Sequence, residues 1–236
     1  MFTLDRVVPW GRSFDEYRRM FALGDDDLRS RILGCADGPA SFNAEASIAG
    51  RRVVSCDPLY RFTTDQISDR ILTTSEVILE QTRRNVDQFV WTTIRSVDEL
   101  RAVRMSSMAT FLADFDAGKR EGRYVDATLP SLPFAAESFD LALCSHFLFL
   151  YSEQFSEEFH LAALRDMCRV AKEVRVFPLL ALDGARSPYV DPLQKRLGPE
   201  GYTISIDEVP YEFQRGGNQM MRVRACAART LWVRER

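Results

Sequence analysis

A chain of 236 residues, 46% of them hydrophobic, can bury one substantial core, so one domain with an embellishment is expected. A formal charge of −3 gives no broad basic face for releasing counterions from nucleic acid, which disfavours polynucleotide partners. No apolar run approaches the ~20 residues that span a bilayer, and the five cysteines, without a CxxC pair, sit mostly in apolar runs such as VVSCD and LALCSH. Reduced, buried thiols and a cytoplasmic location with no membrane contact are the expectation.

The first element is a helix starting near Ser13, which stands three residues before Glu16 in a capping box while Phe14, Tyr17 and Phe21 recur at helical spacing. Apolar strand candidates follow at 31–34, 52–56, 122–125, 139–145 and 174–180, with intervals long enough for helices. That alternation predicts an α/β fold with a doubly wound, mostly parallel sheet. A compact helix at 41–49, closed by Gly50, joins the first two strands. From Leu59 to Ala117 there is neither glycine nor proline, and Ile67, Ile71, Ile78, Val86 and Phe89 fall on one helical face. The span of about 60–118 is therefore read as a helical insertion between strands 2 and 3 of a single domain, 1–236. A break near 93–96 is marked by a second capping box, Ser96 to Glu99. The insertion is longer than a crossover needs, which leaves extra core, a homodimer face or a pocket lid as its roles. A further helix is expected from about 153 to 171, and 183–201, with Pro188, Pro192 and Pro199, reads as a linker. The runs YTISIDEV and NQMMRVRACA around QRGGN predict a C-terminal antiparallel hairpin.

The stretch RILGCADGPASF starts as a buried strand and breaks at once into a turn holding Gly34 and Gly38. In a doubly wound sheet, ligands bind beyond the carboxyl ends of the strands, and the first strand-to-helix turn brings backbone N–H groups close to a cofactor. Asp57, closing the second strand before Pro58, is placed to accept hydrogen bonds from ribose hydroxyls; the plainer alternative is a turn residue bonding its own backbone two residues on. A dinucleotide site needs G-x-G-x-x-G, but counting from Gly34 gives Ala36 and Pro39, so an NAD(P)-dependent oxidoreductase is the minority reading.

The segment ILGCADGPA resembles the first motif of the class I S-adenosylmethionine-dependent methyltransferases, hydrophobic-hydrophobic-acid-x-Gly-x-Gly-x-Gly. Asp57 falls where that family keeps its ribose-binding acid, and YVDATLPSLPFAAESFDLALCSHFLFLY is similar to the family's third and fourth motifs. The resemblance covers about residues 31–180. It implies a Rossmann-like sheet and S-adenosyl-L-methionine as cofactor, held by Gly34, Ala36, Asp37, Gly38, Asp57, Pro58, Asp126, Ala127, Cys144 and Ser145. Asp126, with Ala127 beside it, would face the adenine amino group. The chain departs from the pattern at Gly34, where the family has an acid, and at Ala36 and Ala40, where it has glycines. Either Asp37 supplies the missing carboxylate for the ligand's ammonium group, or affinity is low or absent.

Methyltransferases of amino groups on bases or glutamine often carry Asn/Asp-Pro-Pro-Tyr after the fourth strand. This chain has CSHF there, which moves weight toward a small-molecule acceptor. The implied function is methyl transfer to an unidentified small molecule, with a protein methyltransferase and a catalytically silent binding protein as further alternatives. A sulfonium is already an activated electrophile, so neither a nucleophile nor a metal is obligatory. Of the two histidines, His146 is the candidate base, with pocket shaping as its alternative, and His160 is expected to be structural.

Overall fold

The structure, a computed structural model, describes residues 7–225. In chain order the elements are α1 (Phe14–Met20), α2 (Asp25–Arg29), β1 (Arg31–Cys35), α3 (Phe42–Ile48), β2 (Arg52–Cys56), α4 (Thr64–Arg84), α5 (Val97–Arg120), β3 (Tyr124–Val125), β4 (Phe139–Ser145), α6 (Glu157–Val170), β5 (Ala171–Phe177), α7 (Val190–Leu197), β6 (Tyr202–Glu208) and β7 (Gln219–Ala225). One seven-stranded sheet runs β3-β2-β1-β4-β5-β7-β6. All neighbours pair in parallel except β7, which is antiparallel to both β5 and β6. This is the Rossmann-like doubly wound sheet with a C-terminal antiparallel hairpin, carrying helices between strands 2 and 3.

The alternation of side chains along the strands builds two cores. Ile32, Leu141 and Leu143 point to one face, against Tyr17, Phe21, Phe42 and Ala46 of the α1 and α3 side. Leu33, Cys35, Ala142 and Cys144 point to the other, against Leu161, Leu164 and Met167 of α6 and Leu193 of α7. α4 and α5 pack together over a third cluster of Ile67, Ile71, Met108, Phe111 and Phe115 around Tyr60. α5 also packs on α3, so it serves as the crossover helix, and α4 is the added element.

Where sequence and structure differ, long-range partners decide. The insertion breaks over residues 85–96 rather than 93–96, because Phe89 bridges to Gln214 and the Val90 N–H donates to the Phe213 carbonyl at 2.8 Å. β5 stops at Phe177 because Pro178 has no N–H for the ladder. α6 starts at Glu157, where the Ser156 hydroxyl accepts from the Phe159 N–H, and the chain before it turns. The stretch read as a linker contains α7, whose Val190, Leu193 and Leu197 are fully buried; Pro192 is tolerated in its first turn. The hairpin strands are joined by 209–218, much longer than a tight turn at QRGGN. The end of the second run, including Cys226, lies outside the described residues.

Candidate functional site

β1 delivers the chain to a cavity of about 440 Å³ at the carboxyl edge of the sheet. Its floor is the turn after β1, where Ala36, Asp37, Gly38 and Pro39 face the space. Ala36 takes a left-handed conformation, φ 54°, and its N–H donates to the Cys56 carbonyl at 2.8 Å, which ties the turn to the end of β2. Gly34 does not line the cavity. A β-carbon there would lie 1.7 Å from Asp37 Oδ2, so the Asp37 carboxylate fills the space a side chain on residue 34 would occupy. It is fixed there by the Tyr17 hydroxyl, donating to Oδ1 at 2.8 Å, and the Ser55 hydroxyl, donating to Oδ2 at 2.6 Å. Burial pushes the Asp37 carboxyl up to about 6, outweighing the two hydroxyl donors, with the Asp57 charge adding to the rise.

Asp57 closes β2 and caps the 3-10 turn Pro58–Arg61: Oδ1 accepts from the Leu59 N–H at 2.7 Å, the local turn bond, while Oδ2 accepts from the Gly38 N–H at 3.0 Å. One carboxylate thus clamps the ends of two neighbouring strands. Its pKa is also pushed up to about 6, by burial first and then by Asp126, against the two backbone donors. Pro58 lines the cavity with it. Asp126 and Ala127 stand apart from the lining, and exposed Asp126 meets Arg61 across 3.4 Å.

At the end of β4, Ser145 and His146 line the cavity and Cys144 does not. Strand alternation turns Cys144 toward the α6 side, where burial pushes its thiol up to about 12. His146 holds a left-handed conformation, φ 51°, with its N–H on the Phe177 carbonyl at 2.7 Å and Nδ1 2.9 Å from the Ser145 hydroxyl. Burial, then the Arg12 and Arg104 charges, hold its pKa well below the usual histidine range, so the ring is neutral at neutral pH. His160 is fully buried between the Ser156 and Leu148 carbonyls, away from the cavity.

The opposite wall is mainly apolar, with Ile78 of α4, Leu100 of α5, Phe89 between them, Phe213 of the hairpin loop, and Phe147 and Tyr151 beyond β4, interspersed with Thr74 and Thr82 of α4 and Gln214. Sequence reading assigns Phe147, Phe149 and Tyr151 to core or pocket wall; Phe147 and Tyr151 line the cavity, and Phe149 is buried in the core. Sequence reading missed Arg12, Tyr17, Phe89 and Phe213 as lining residues, because helical spacing assigned Tyr17 and Phe89 to core faces and neither Arg12 nor Phe213 belongs to a motif. Among the described residues no helix is long and apolar enough to cross a membrane.

No protein-family model matches the chain. Among solved structures, it is similar to the magnesium protoporphyrin IX methyltransferase ChlM of Synechocystis PCC 6803 with bound SAH, at TM-score 0.46 and 12% identity over 90% of this chain and 93% of that one. It is also similar to a SAM-dependent methyltransferase of Thermotoga maritima described as a possible histamine N-methyltransferase, at TM-score 0.42 and 12% identity over 90% and 88%. At that distance no residue role follows from either. In sequence, the chain is 32% identical over 222 residues to the uncharacterized protein MJ0045 of Methanocaldococcus jannaschii, covering 94% of this chain and 97% of the other. The chain belongs to the same family as MJ0045.

Proposed function

We propose that the chain is an S-adenosylmethionine-dependent methyltransferase acting on a small molecule taken into the cavity over the β1 turn. The observation that carries the reading is the Asp37 carboxylate, which fills the space above Gly34 where the first motif of class I methyltransferases would place its acid. The chain departs from the motif in sequence and restores its carboxylate in space. Bound S-adenosylmethionine would supply a methyl group on a sulfonium, already activated for transfer.

Asp37 receives the ammonium group of the cofactor, and the two hydroxyls on its oxygens fix its orientation. Asp57 uses one acceptor site of each oxygen on backbone N–H groups, which leaves a further lone pair on each for ribose hydroxyls. Ala36, Gly38 and Pro58 bound the same space, and Ser145 and neutral His146 close it at β4. Asp126 and Ala127 would meet only a part of the cofactor reaching past Arg61 to the open edge. The apolar wall holds the acceptor and keeps water from it. A neutral imidazole with a depressed pKa is a weak base, which supports a shaping role for His146 over proton abstraction.

Calorimetric titration with S-adenosylmethionine, S-adenosylhomocysteine and NAD tests the reading. Binding of the first two with no heat from NAD is expected. NAD binding in preference to both would replace the reading with an oxidoreductase.

A further inference from the structure

Buried Glu16 and Arg104 lie beside the cavity with a second, half-buried arginine, Arg12. Glu16 is fully engaged: Oε2 accepts from Arg104 Nη1 at 2.7 Å and the Ser13 N–H at 3.0 Å, and Oε1 accepts from the Tyr211 hydroxyl at 2.9 Å. Arg12 is the second cation of this group. It lines the cavity, gives Nη1 to the Trp10 carbonyl at 2.9 Å, and has a buried Nε without a hydrogen-bond partner among the described residues. It makes no ion pair among the described residues, whereas Arg61 pairs with Asp126, and exposed Arg70 lies over the Phe62 ring.

Arg12 is also held in place. The Ser41 N–H donates to its carbonyl at 3.0 Å. Gly11 presses so closely on the turn that a β-carbon would lie 2.0 Å from the Pro39 carbonyl oxygen. Burial, with repulsion from Arg104, lowers the Arg12 pKa to about 10, which still leaves it charged at neutral pH. A guanidinium fixed at the cavity without an ion-pair partner among the described residues offers a planar fork that matches a carboxylate.

We propose that Arg12 is the carboxylate anchor of the cavity, pairing with the carboxylate of a ligand whose body rests on the apolar wall. The proposal rests on the cavity being the reaction site. Its carboxylate has two sources, the amino-acid end of the cofactor, whose ammonium meets Asp37, and an acidic methyl acceptor.

The test compares wild type with Arg12→Met and Arg12→Lys by calorimetry on the full chain. The probes are S-adenosylhomocysteine, 5′-methylthioadenosine, which lacks the amino-acid end, and 1-naphthoate against 1-naphthamide. If the cofactor is the source, Arg12→Met weakens S-adenosylhomocysteine by about tenfold or more and leaves 5′-methylthioadenosine unchanged. If the acceptor is the source, S-adenosylhomocysteine is unaffected, and the preference of wild type for naphthoate over naphthamide is lost in Arg12→Met. Loss of that preference in a protein that binds neither nucleoside upholds the anchor while the cofactor reading fails. Unliganded Arg12→Met should melt at or above the wild-type temperature, because it sheds a charge that desolvation and Arg104 oppose. If that variant does not fold, Arg12→Lys, which keeps the charge and loses the fork, carries the same comparison. Affinities within about twofold of wild type for every probe, in a folded variant, overturn the proposal.

Discussion

Asp37 holds its position only because residue 34 has no side chain. Gly34→Ala would put a β-carbon 1.7 Å from Oδ2, forcing the carboxylate away from Tyr17 and Ser55. A loss of about 2–3 kcal/mol in urea denaturation is expected, combining overpacking with broken buried hydrogen bonds. The double variant Gly34→Ala, Asp37→Ala should be more stable than the sum of the single losses predicts, since removing the carboxylate removes the clash. Wild-type stability in Gly34→Ala alone would contradict the close approach. For His146, the depressed pKa predicts that His146→Gln loses less than about tenfold in turnover, once an acceptor is known, and keeps the wild-type pH profile; a loss of about 100-fold would make it the base. GCADG made Asp37 legible as the candidate for a substitute carboxylate, because the motif fixes where an acid is missing. Arg12 was not legible, since what marks it is the want of an ion-pair partner among the described residues, which no motif encodes.

The cavity roof is made where the α4–α5 connection meets the β6–β7 loop. Arg215 fastens it, its N–H on the Gln88 carbonyl at 2.8 Å and its guanidinium on the carbonyls of Asp87 at 3.1 Å and Phe89 at 3.2 Å. Phe89, Trp91 and Phe213 pack against one another, Trp91 edge-on to both and the Phe89 and Phe213 centroids 5.1 Å apart. Arg215→Ala should therefore raise hydrogen exchange of amides in 86–91 and 213–217 together, by about tenfold, with little change in the central strands. Exchange unchanged in both segments would show that the aromatic contacts alone hold the roof. The capping serines 13 and 96 were legible because their bonds close within three residues; Ser13 and Glu16 complete their box, and the Ser96 hydroxyl accepts from the Glu99 N–H. The break at 93–96 was legible, but its extension back to residue 85 was not. The helical spacing there is real, but the Gln214 bridge, remote in sequence, overrides it.

At the scale of the molecule, the strand pattern was legible because both sheet faces are covered, so apolar runs mark β1, β2 and β4 without ambiguity. The cavity was not, since its walls come from the N-terminal segment, the insertion and the hairpin loop at once. The charges at its floor give the whole protein a pH signature. Asp37 and Asp57 are raised from 3.8 to about 6, so the folded state holds their protons more tightly than the unfolded state. Each therefore subtracts stability progressively as pH rises from about 4 to about 6, and the loss persists above that. The stability of wild type relative to Asp37→Asn should fall across this window. Ligand binding should run the other way, because only the ionised carboxylate attracts an ammonium group.

The most direct measurement is the calorimetric dissociation constant of S-adenosylhomocysteine for wild type and Asp37→Asn, taken from about pH 5 to about pH 8. Wild-type affinity should rise with pH through about 6 and then level off, with Asp37→Asn at least about tenfold weaker near neutrality and less dependent on pH. No heat from wild type at millimolar ligand, or equal affinity in a folded Asp37→Asn, would contradict the assignment of the turn to the cofactor.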